Sequence, residues 1–393
     1  MMQKRVLHIS KYYAPFCGGT EQVARDAVEA LKDFAEQKVL CFNHEVGNKI
    51  DNVDGVEVIR CHCEKKLFSQ PLSLCFGKKL QTLIKGFKPE IIIFHYPNPF
   101  VAHFLLKELP QNVKLIVYWH LDITRQKILG KFFHLQNKAL LRRAEVVVAT
   151  SPNYVAGSKY LCQFADKCTV IPNSIDVKRL TVTEDSSKLA EKIKQEYSGK
   201  IICLAVGRHV SYKGFDCLIK ASKFLDDRFV INIIGEGELT QKLKKMALGD
   251  SKIKLLGKMT GSELKAHYLA GDIFCFSSVT KNEAFGIALA EAMYFGLPAV
   301  TFTINGSGVN YVSINGETGI EVPNGNVENY ANALKELADN HELREKYGNA
   351  AKKRVSENFL FAQYKRALVR LVIERECLEN HAHFESHFQE AFA

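Results

Sequence analysis

Four short clusters in this sequence carry side chains suited to an anionic, hydroxyl-bearing ligand. In Gly207-Arg208-His209-Val210-Ser211-Tyr212-Lys213-Gly214 an arginine and a lysine flank a turn. Two fixed cations there suit a diphosphate, because a guanidinium can hold two oxygens at once. The stretch fits neither the phosphate-loop spacing nor Gly-x-Gly-x-x-Gly, which disfavours an ATPase or a nicotinamide enzyme. Taken alone, it serves equally well as a solvated basic turn. Glu283 and Glu291 stand eight residues apart, a little over two helical turns, so one helix would put both on nearly one face. Its first turn would leave the backbone N–H groups of Gly286 and Ile287 free for a phosphate. Glu291 lies in the apolar run from Ala288 to Met293 and needs a partner, either the backbone or a ligand hydroxyl. In Val117-Tyr118-Trp119-His120-Leu121-Asp122 a strand would end on a histidine beside the only tryptophan. Such a histidine can be a general base, a hydrogen-bonding anchor or a packing residue. Finally, Cys17-Gly18-Gly19-Thr20 precedes a helix beginning near Glu21, where glycines would let backbone N–H groups approach a ligand. A plain glycine pair in a loop fits that cluster as well.

These clusters need a scaffold that brings strand ends together, and the patterning supplies one. Apolar runs predict strands at 6–10, 39–43, 56–61, 91–96, 115–120, 146–150 and 169–171, then at 201–206, 230–234, 253–256, 273–276, 299–302 and 319–322. Several, such as Ile91-Ile92-Ile93-Phe94, lack apolar/polar alternation and read as parallel strands covered on both faces. Helical patterns fit between them, including 21–33, 217–224, 239–246, 262–270 and 284–294, and only helix is predicted beyond about 326. Two successive β/α series predict an α/β protein of two doubly wound domains, with ligands at the carboxyl ends of the strands. The boundary is expected within the polar stretch 172–199. The length of 393 residues suits two such domains.

Composition narrows the setting. The charged N-terminus leads directly into a strand rather than a long apolar leader, and no run approaches the ~18 apolar residues of a membrane span. The eleven cysteines are scattered without a Cys-x-x-Cys pair, which predicts free thiols in a reducing cytoplasm. His381, His383 and His387 read as a polar tail rather than a metal site. Residues 1–179 hold 26 Lys and Arg against 16 Asp and Glu, while 180–393 hold 27 of each, so the whole net charge of +10 lies in the first part. An anionic surface or ligand is expected for that part alone.

Taken together and in order, the four clusters resemble the large retaining GT-B glycosyltransferase family with a Glu-x7-Glu motif (glycosyl transferases group 1). The likeness covers nearly the whole chain and is strongest over 204–214 and 282–325. It implies two Rossmann-like domains facing across a cleft: 1–175 on the acceptor side, 176–360 holding the nucleotide-sugar donor, and 361–393 returning to the first. It implies that Arg208 and Lys213 bind the donor diphosphate, that Glu283 faces the donor sugar, and that Glu291 faces the ribose. The backbone of Phe285, Gly286 and Ile287 would touch sugar and phosphate, His120 would lie by the sugar, and Gly18 and Gly19 beside donor and acceptor. Lys258 and Met259 match the segment near the nucleobase.

The same resemblance implies retention of anomeric configuration and no metal or other cofactor, and the sequence has no Asp-x-Asp motif. The segments around Trp119-His120-Leu121-Asp122 and Asn305-Gly306-Ser307-Gly308-Val309 resemble bacterial O-antigen and capsule mannosyltransferases. GDP-mannose is therefore the expected donor, a UDP-hexose the alternative, and a lipid-linked glycan the expected acceptor. Segments 65–89 and 123–144 are basic and apolar-rich without an acid between 65 and 89, which suits peripheral docking on the inner leaflet of the plasma membrane. No nucleic-acid motif accompanies the charge. A non-hydrolysing sugar-nucleotide epimerase and an idle nucleotide-sugar-binding protein are the rivals. The Glu-x7-Glu order opposes the first, and the presence of all four of Arg208, Lys213, Glu283 and His120 opposes the second.

Overall fold

The structure is a computed structural model that describes residues 3–16, 18–67, 70–123 and 130–373, the side chains of 130–132 excepted. Cys17, Arg125, Lys127, the Lys131 side chain and the three tail histidines lie outside it. The chain divides into two compact units, Met1–Asn173 with Ala362–Ala393, and Ser174–Phe361.

In the first unit the strands are β1 (Lys4–Ile9), β2 (Ala35–Phe42), β3 (Lys49–Val53), β4 (Val56–Cys61), β5 (Lys65–Leu67), β6 (Gln70–Leu72), β7 (Ile91–Tyr96), β8 (Lys114–Trp119), β9 (Val146–Ala149) and β10 (Cys168–Val170). Eight of them form one sheet in the order β10-β9-β8-β7-β1-β2-β4-β3, parallel except for β3 on β4, and β5–β6 is a separate hairpin. Every residue of β7 is buried, as an unbroken Ile-Ile-Ile-Phe run covered on both faces requires. The helix Gly19–Leu31 packs Val23, Ala24, Ala27, Val28, Ala30 and Leu31 inward, a stripe at helical spacing. The chain returns to this unit in the helix Phe361–Ile373. There Lys4 Nζ donates to the carbonyls of Val372 and Ile373 at 3.1 and 2.9 Å, capping the last turn with a cation.

In the second unit β11 (Ile201–Val206), β12 (Phe229–Ile234), β13 (Ile253–Gly257), β14 (Ile273–Phe276), β15 (Ala299–Phe302) and β16 (Gly319–Val322) form an all-parallel sheet. Its order is β13-β12-β11-β14-β15-β16. One apolar core runs through it, from Leu204 and Ile231 to Met293, Val300 and Leu334.

Each sheet reverses its winding once, between β1 and β7 in the first unit and between β11 and β14 in the second. At such a point the loops leaving neighbouring strands diverge and open a crevice at their carboxyl ends. The fold therefore fixes in advance where each unit can hold a ligand.

Three expectations need correction. The edge strand β3 and the hairpin β5–β6 were not expected, and β2 begins at Ala35 rather than 39. β3 is half polar and pairs on one side only, so its sequence carries no buried run to read. The helix expected at 284–294 begins only at Ile287, because Gly286 has φ +96° and breaks the spiral. Glu283 thus lies in the loop before the helix that carries Glu291, and the two carboxylates do not share a helical face. Finally, Phe76, Leu80, Leu83 and Phe87 of the basic segment 65–89 belong to the core.

Candidate active site

Arg208 and Lys213 leave the carboxyl end of β11, and Glu283 follows β14, across the reversal of the second sheet. The two exits are tied together by backbone and side chain. Val279 N donates to Tyr212 O at 2.9 Å and Ser277 Oγ to Lys213 O at 2.9 Å. Lys213 Nζ ion-pairs with Glu283 Oε2, and their side chains are only 12 and 11 % exposed. The ammonium also lies 5.1 Å from the Phe276 ring centroid and 5.6 Å from that of Tyr212. Ser278 Oγ adds a bond to the same carboxylate oxygen at 3.1 Å, and Ser307 Oγ donates to the Glu283 carbonyl. A half-buried ammonium held this way keeps its charge at a fixed point, ready for an anionic group. Arg208 is exposed and, among the described residues, forms no ion pair.

Beyond Glu283 the chain packs Phe285 into the core, edge-on to Phe359 at 5.4 Å, then turns at Gly286 into the helix Ile287–Tyr294. The Gly286 position admits no side chain easily, since a Cβ would stand 3.0 Å from the Phe276 ring in a left-handed conformation. Glu291, sought by the sequence reading as a ligand contact, has two partners within the protein. Arg179 pairs with Oε1, and the Tyr268 hydroxyl donates to Oε2 at 3.0 Å. Burial raises the carboxyl's pKa, and Arg179 and Tyr268 oppose that shift. Lys258, exposed, and Met259 leave the edge strand β13, which β12 and β11 separate from β14. Among the described residues neither joins Lys213 or Glu283 by a hydrogen bond or ion pair.

The remaining predicted residues belong to the first unit. Gly18 and Gly19 follow β1, at the reversal of that sheet, and the helix starts at Gly19. A Cβ on Gly18 would meet only the tip of the Glu21 side chain, Oε2 at 2.3 Å, which would have to swing aside, whereas one on Gly19 would meet nothing within 4 Å. His120 stands one residue past β8 and is buried, with Nε2 3.1 Å from His95 Nδ1. Its neighbour Trp119 stacks on Tyr96 at 3.9 Å and donates from Nε1 to Asp122 Oδ1 at 3.0 Å.

Sequence reasoning missed several of these partners. Ser278 and Ser307 are ordinary residues in sequence, although Ser307 falls in a glycine-rich stretch already singled out. Arg179 was hidden in the expected linker, 112 residues from Glu291. The pair Gly235 and Gly237 after β12 was a legible signal: a Cβ on either would strike the backbone of Gly207 or His209, so these glycines let the two loops pack.

Comparison with known proteins decides the family. Profiles described as "Glycosyl transferases group 1" and "Glycosyltransferase Family 4" match residues 186–354 and 17–179. The chain is 30% identical over 363 residues to the O-antigen chain mannosyltransferase C of Escherichia coli, covering 90% of this chain and 94% of that one. It belongs to the group 1 glycosyltransferases. This glycosyltransferase is also 29% identical over 361 residues to the D-rhamnosyltransferase WbpZ of Pseudomonas aeruginosa, covering 90% and 92% of the two chains. Among solved structures, Anabaena HepE in complex with UDP and glucose superposes with a TM-score of 0.74 at 16% identity, over 93% of this chain and 98% of that one. The two Rossmann-like units are those of the GT-B fold.

Proposed function

We propose that this glycosyltransferase moves mannose from GDP-mannose to a lipid-linked, growing cell-surface glycan, with retention of anomeric configuration and without a metal. The observation that carries the donor reading is the fixed ammonium of Lys213, paired with Glu283 at the winding reversal of the second sheet and one turn from Arg208. Two cations there neutralise a leaving diphosphate, the task a divalent ion performs elsewhere. The bond from the anomeric carbon to the diphosphate oxygen breaks, and a bond to the acceptor oxygen forms on the same face. The departing diphosphate oxygen takes the acceptor hydroxyl's proton. Glu283 faces the sugar through the oxygen that Lys213 does not hold, and His120 is the second side chain assigned to the sugar. Mannose is supported by the name of the O-antigen chain mannosyltransferase, while the D-rhamnosyltransferase, about as similar, is named for a different sugar. Among the described residues no helix is long and apolar enough to cross a membrane. Attachment to the inner leaflet is supported by exposed Lys65, Lys66 and Lys78 beside exposed Leu67 and Leu74.

The test is nucleotide-diphosphate release from a panel of GDP- and UDP-sugars, with and without a polyprenyl-diphosphate glycan and with chelator present. GDP release from GDP-mannose that depends on the lipid acceptor is expected. Arg208→Ala and Lys213→Ala should lower it by roughly a hundred-fold or more, the scale of losing one charge-stabilising group, with little change in melting temperature for Arg208→Ala. UDP release from a UDP-sugar would replace the donor assignment, and binding without turnover of any donor would favour a non-catalytic binding protein.

A further inference from the structure

Three histidines from different strands share one buried layer of the first unit. His8 lies on β1, His95 on β7 and His120 just beyond β8, at 0, 4 and 4 % exposure. The rings of His8 and His95 lie 6.3 Å apart at 20°, those of His95 and His120 5.4 Å apart at 10°, and Tyr118 stacks on both of the latter at 5.3 and 5.1 Å. A bond between two neutral imidazole nitrogens needs one N–H and one bare nitrogen, so the 3.1 Å contact from His95 Nδ1 to His120 Nε2 has a direction.

The far end of the row shows how the protons are placed. Gln37 Nε2 donates to Val28 O at 3.0 Å, which turns Oε1 toward His8 Nε2 at 2.8 Å. That nitrogen is therefore the N–H of His8, and its bare Nδ1 is the one left buried without a partner. His95 Nε2 is likewise buried and unpartnered. Orphaned N–H groups are the rarer kind in protein interiors. The same assignment at His95 leaves Nε2 bare and puts the proton on Nδ1, facing His120. Burial holds all three rings neutral, His8 at about 4, His120 at about 3 and His95 well below its ordinary value. The bond's polarity is thus a choice of tautomer between uncharged rings.

We propose that His95 is a positioning residue that donates from Nδ1 to His120 Nε2 and so fixes His120 as the Nδ1–H tautomer, a hydrogen-bond donor to a ligand oxygen and not a base. This rests on the reading of His120 as the residue beside the donor sugar. A histidine locked in one tautomer offers the sugar one group of fixed sense, and the wrong tautomer forfeits it.

The test joins a spectrum to kinetics on the full chain. In wild-type protein with labelled imidazoles and no ligand, nitrogen NMR should find His120 protonated at Nδ1 and bare at Nε2. His95→Phe fills the space and keeps the stack but removes the donor. His95→Asn restores an N–H near the Nδ1 position. His95→Phe should lose the single tautomer and lower kcat by roughly ten- to hundred-fold with donor KM changing less, the scale of losing a group that orients a functional imidazole. His95→Asn should recover both. A proton on His120 Nε2 in wild type overturns the proposal, as does His95→Phe with tautomer and kcat unchanged. The wild-type spectrum decides alone if His95→Phe does not fold. Because that spectrum needs no substrate, a locked tautomer in a protein that turns over no nucleotide sugar would sink the reading of His120's role while leaving the assignment of His95 in place.

Discussion

At the scale of single residues, the buried charges of the site, unlike the exposed Arg208, are ones that the protein has already paired. Glu291 is the clearest case. Its position in an apolar run made a partner necessary, and the chain supplies Arg179 and Tyr268. Arg179→Ala should therefore destabilise the second unit by about 1–2 kcal/mol, a buried-pair loss discounted because the arginine side chain is 58 % exposed. Glu291→Gln keeps an acceptor for Tyr268 and removes the charge that Arg179 answers. The double variant should then be little worse than Arg179→Ala alone, and denaturant unfolding of the four proteins measures that coupling. Full additivity would mean that the pair contributes nothing. The need for a partner was legible in sequence, but not which partner, because 112 residues separate the two and only the fold joins them. Lys213 and Glu283 were legible as residue types, whereas their direct pairing was not, since the intended helix would have aimed Glu283 elsewhere.

At the scale of elements, most strands were readable because both faces of a parallel sheet are buried, which writes unbroken apolar runs into the sequence. What escaped was one-sided or short: β3 at the sheet edge and the hairpin β5–β6. The late start of the helix Ile287–Tyr294 escaped for another reason. Gly286 looks like one glycine inside a helical pattern, and its φ of +96° is set by packing against Phe276. The histidine row on β1, on β7 and just beyond β8 was equally hidden, for its members are 87 and 25 residues apart in the chain and meet only through strand register. That row has a consequence for stability. All three histidines have folded pKa values below the ordinary 6.5, so above about pH 6.5 neither state is charged and their packing is fully stabilising. As pH falls below 6.5 the unfolded chain takes up protons that the folded one refuses. Stability should drop by about 1.4 kcal/mol per pH unit for each histidine until the folded values are approached. Urea unfolding at about pH 7 and about pH 5 checks this, and His8→Leu should shallow the slope by one histidine's share. A flat profile between those values would contradict the burial of the row.

At the scale of the whole molecule, the charge is unevenly distributed, and that asymmetry sets an expectation independent of the active site. The excess of ten positive charges lies within residues 1–179, while the rest of the chain is balanced. In the described part of that region the lysines at 65, 66, 78, 85 and 88 are exposed, and Leu67 and Leu74 stand out at 46 and 90 % exposure. Phe76, Leu80, Leu83 and Phe87 of the segment went into the core, Phe76 stacking on Phe42 at 4.8 Å, so Leu67 and Leu74 are its exposed large apolar side chains among the described residues. Each lysine close to an anionic bilayer contributes on the order of 1 kcal/mol, and salt screens that attraction beyond about 10 Å at 0.1 M. Sedimentation with phosphatidylserine vesicles should therefore capture the protein at low salt and release it as salt rises, with neutral vesicles capturing much less. Replacing Lys65, Lys78 and Lys85 by Glu should weaken capture roughly a hundred-fold or more, about 1 kcal/mol for each lysine removed and more for the reversed charge. These lysines lie outside the predicted donor residues, so release of nucleotide diphosphate to a water-soluble acceptor analogue should survive the change while transfer to vesicle-borne acceptor falls. Equal capture of wild type and variant would mean that the basic surface serves solubility, and the proposed lipid-linked acceptor would then have to be reached by another route.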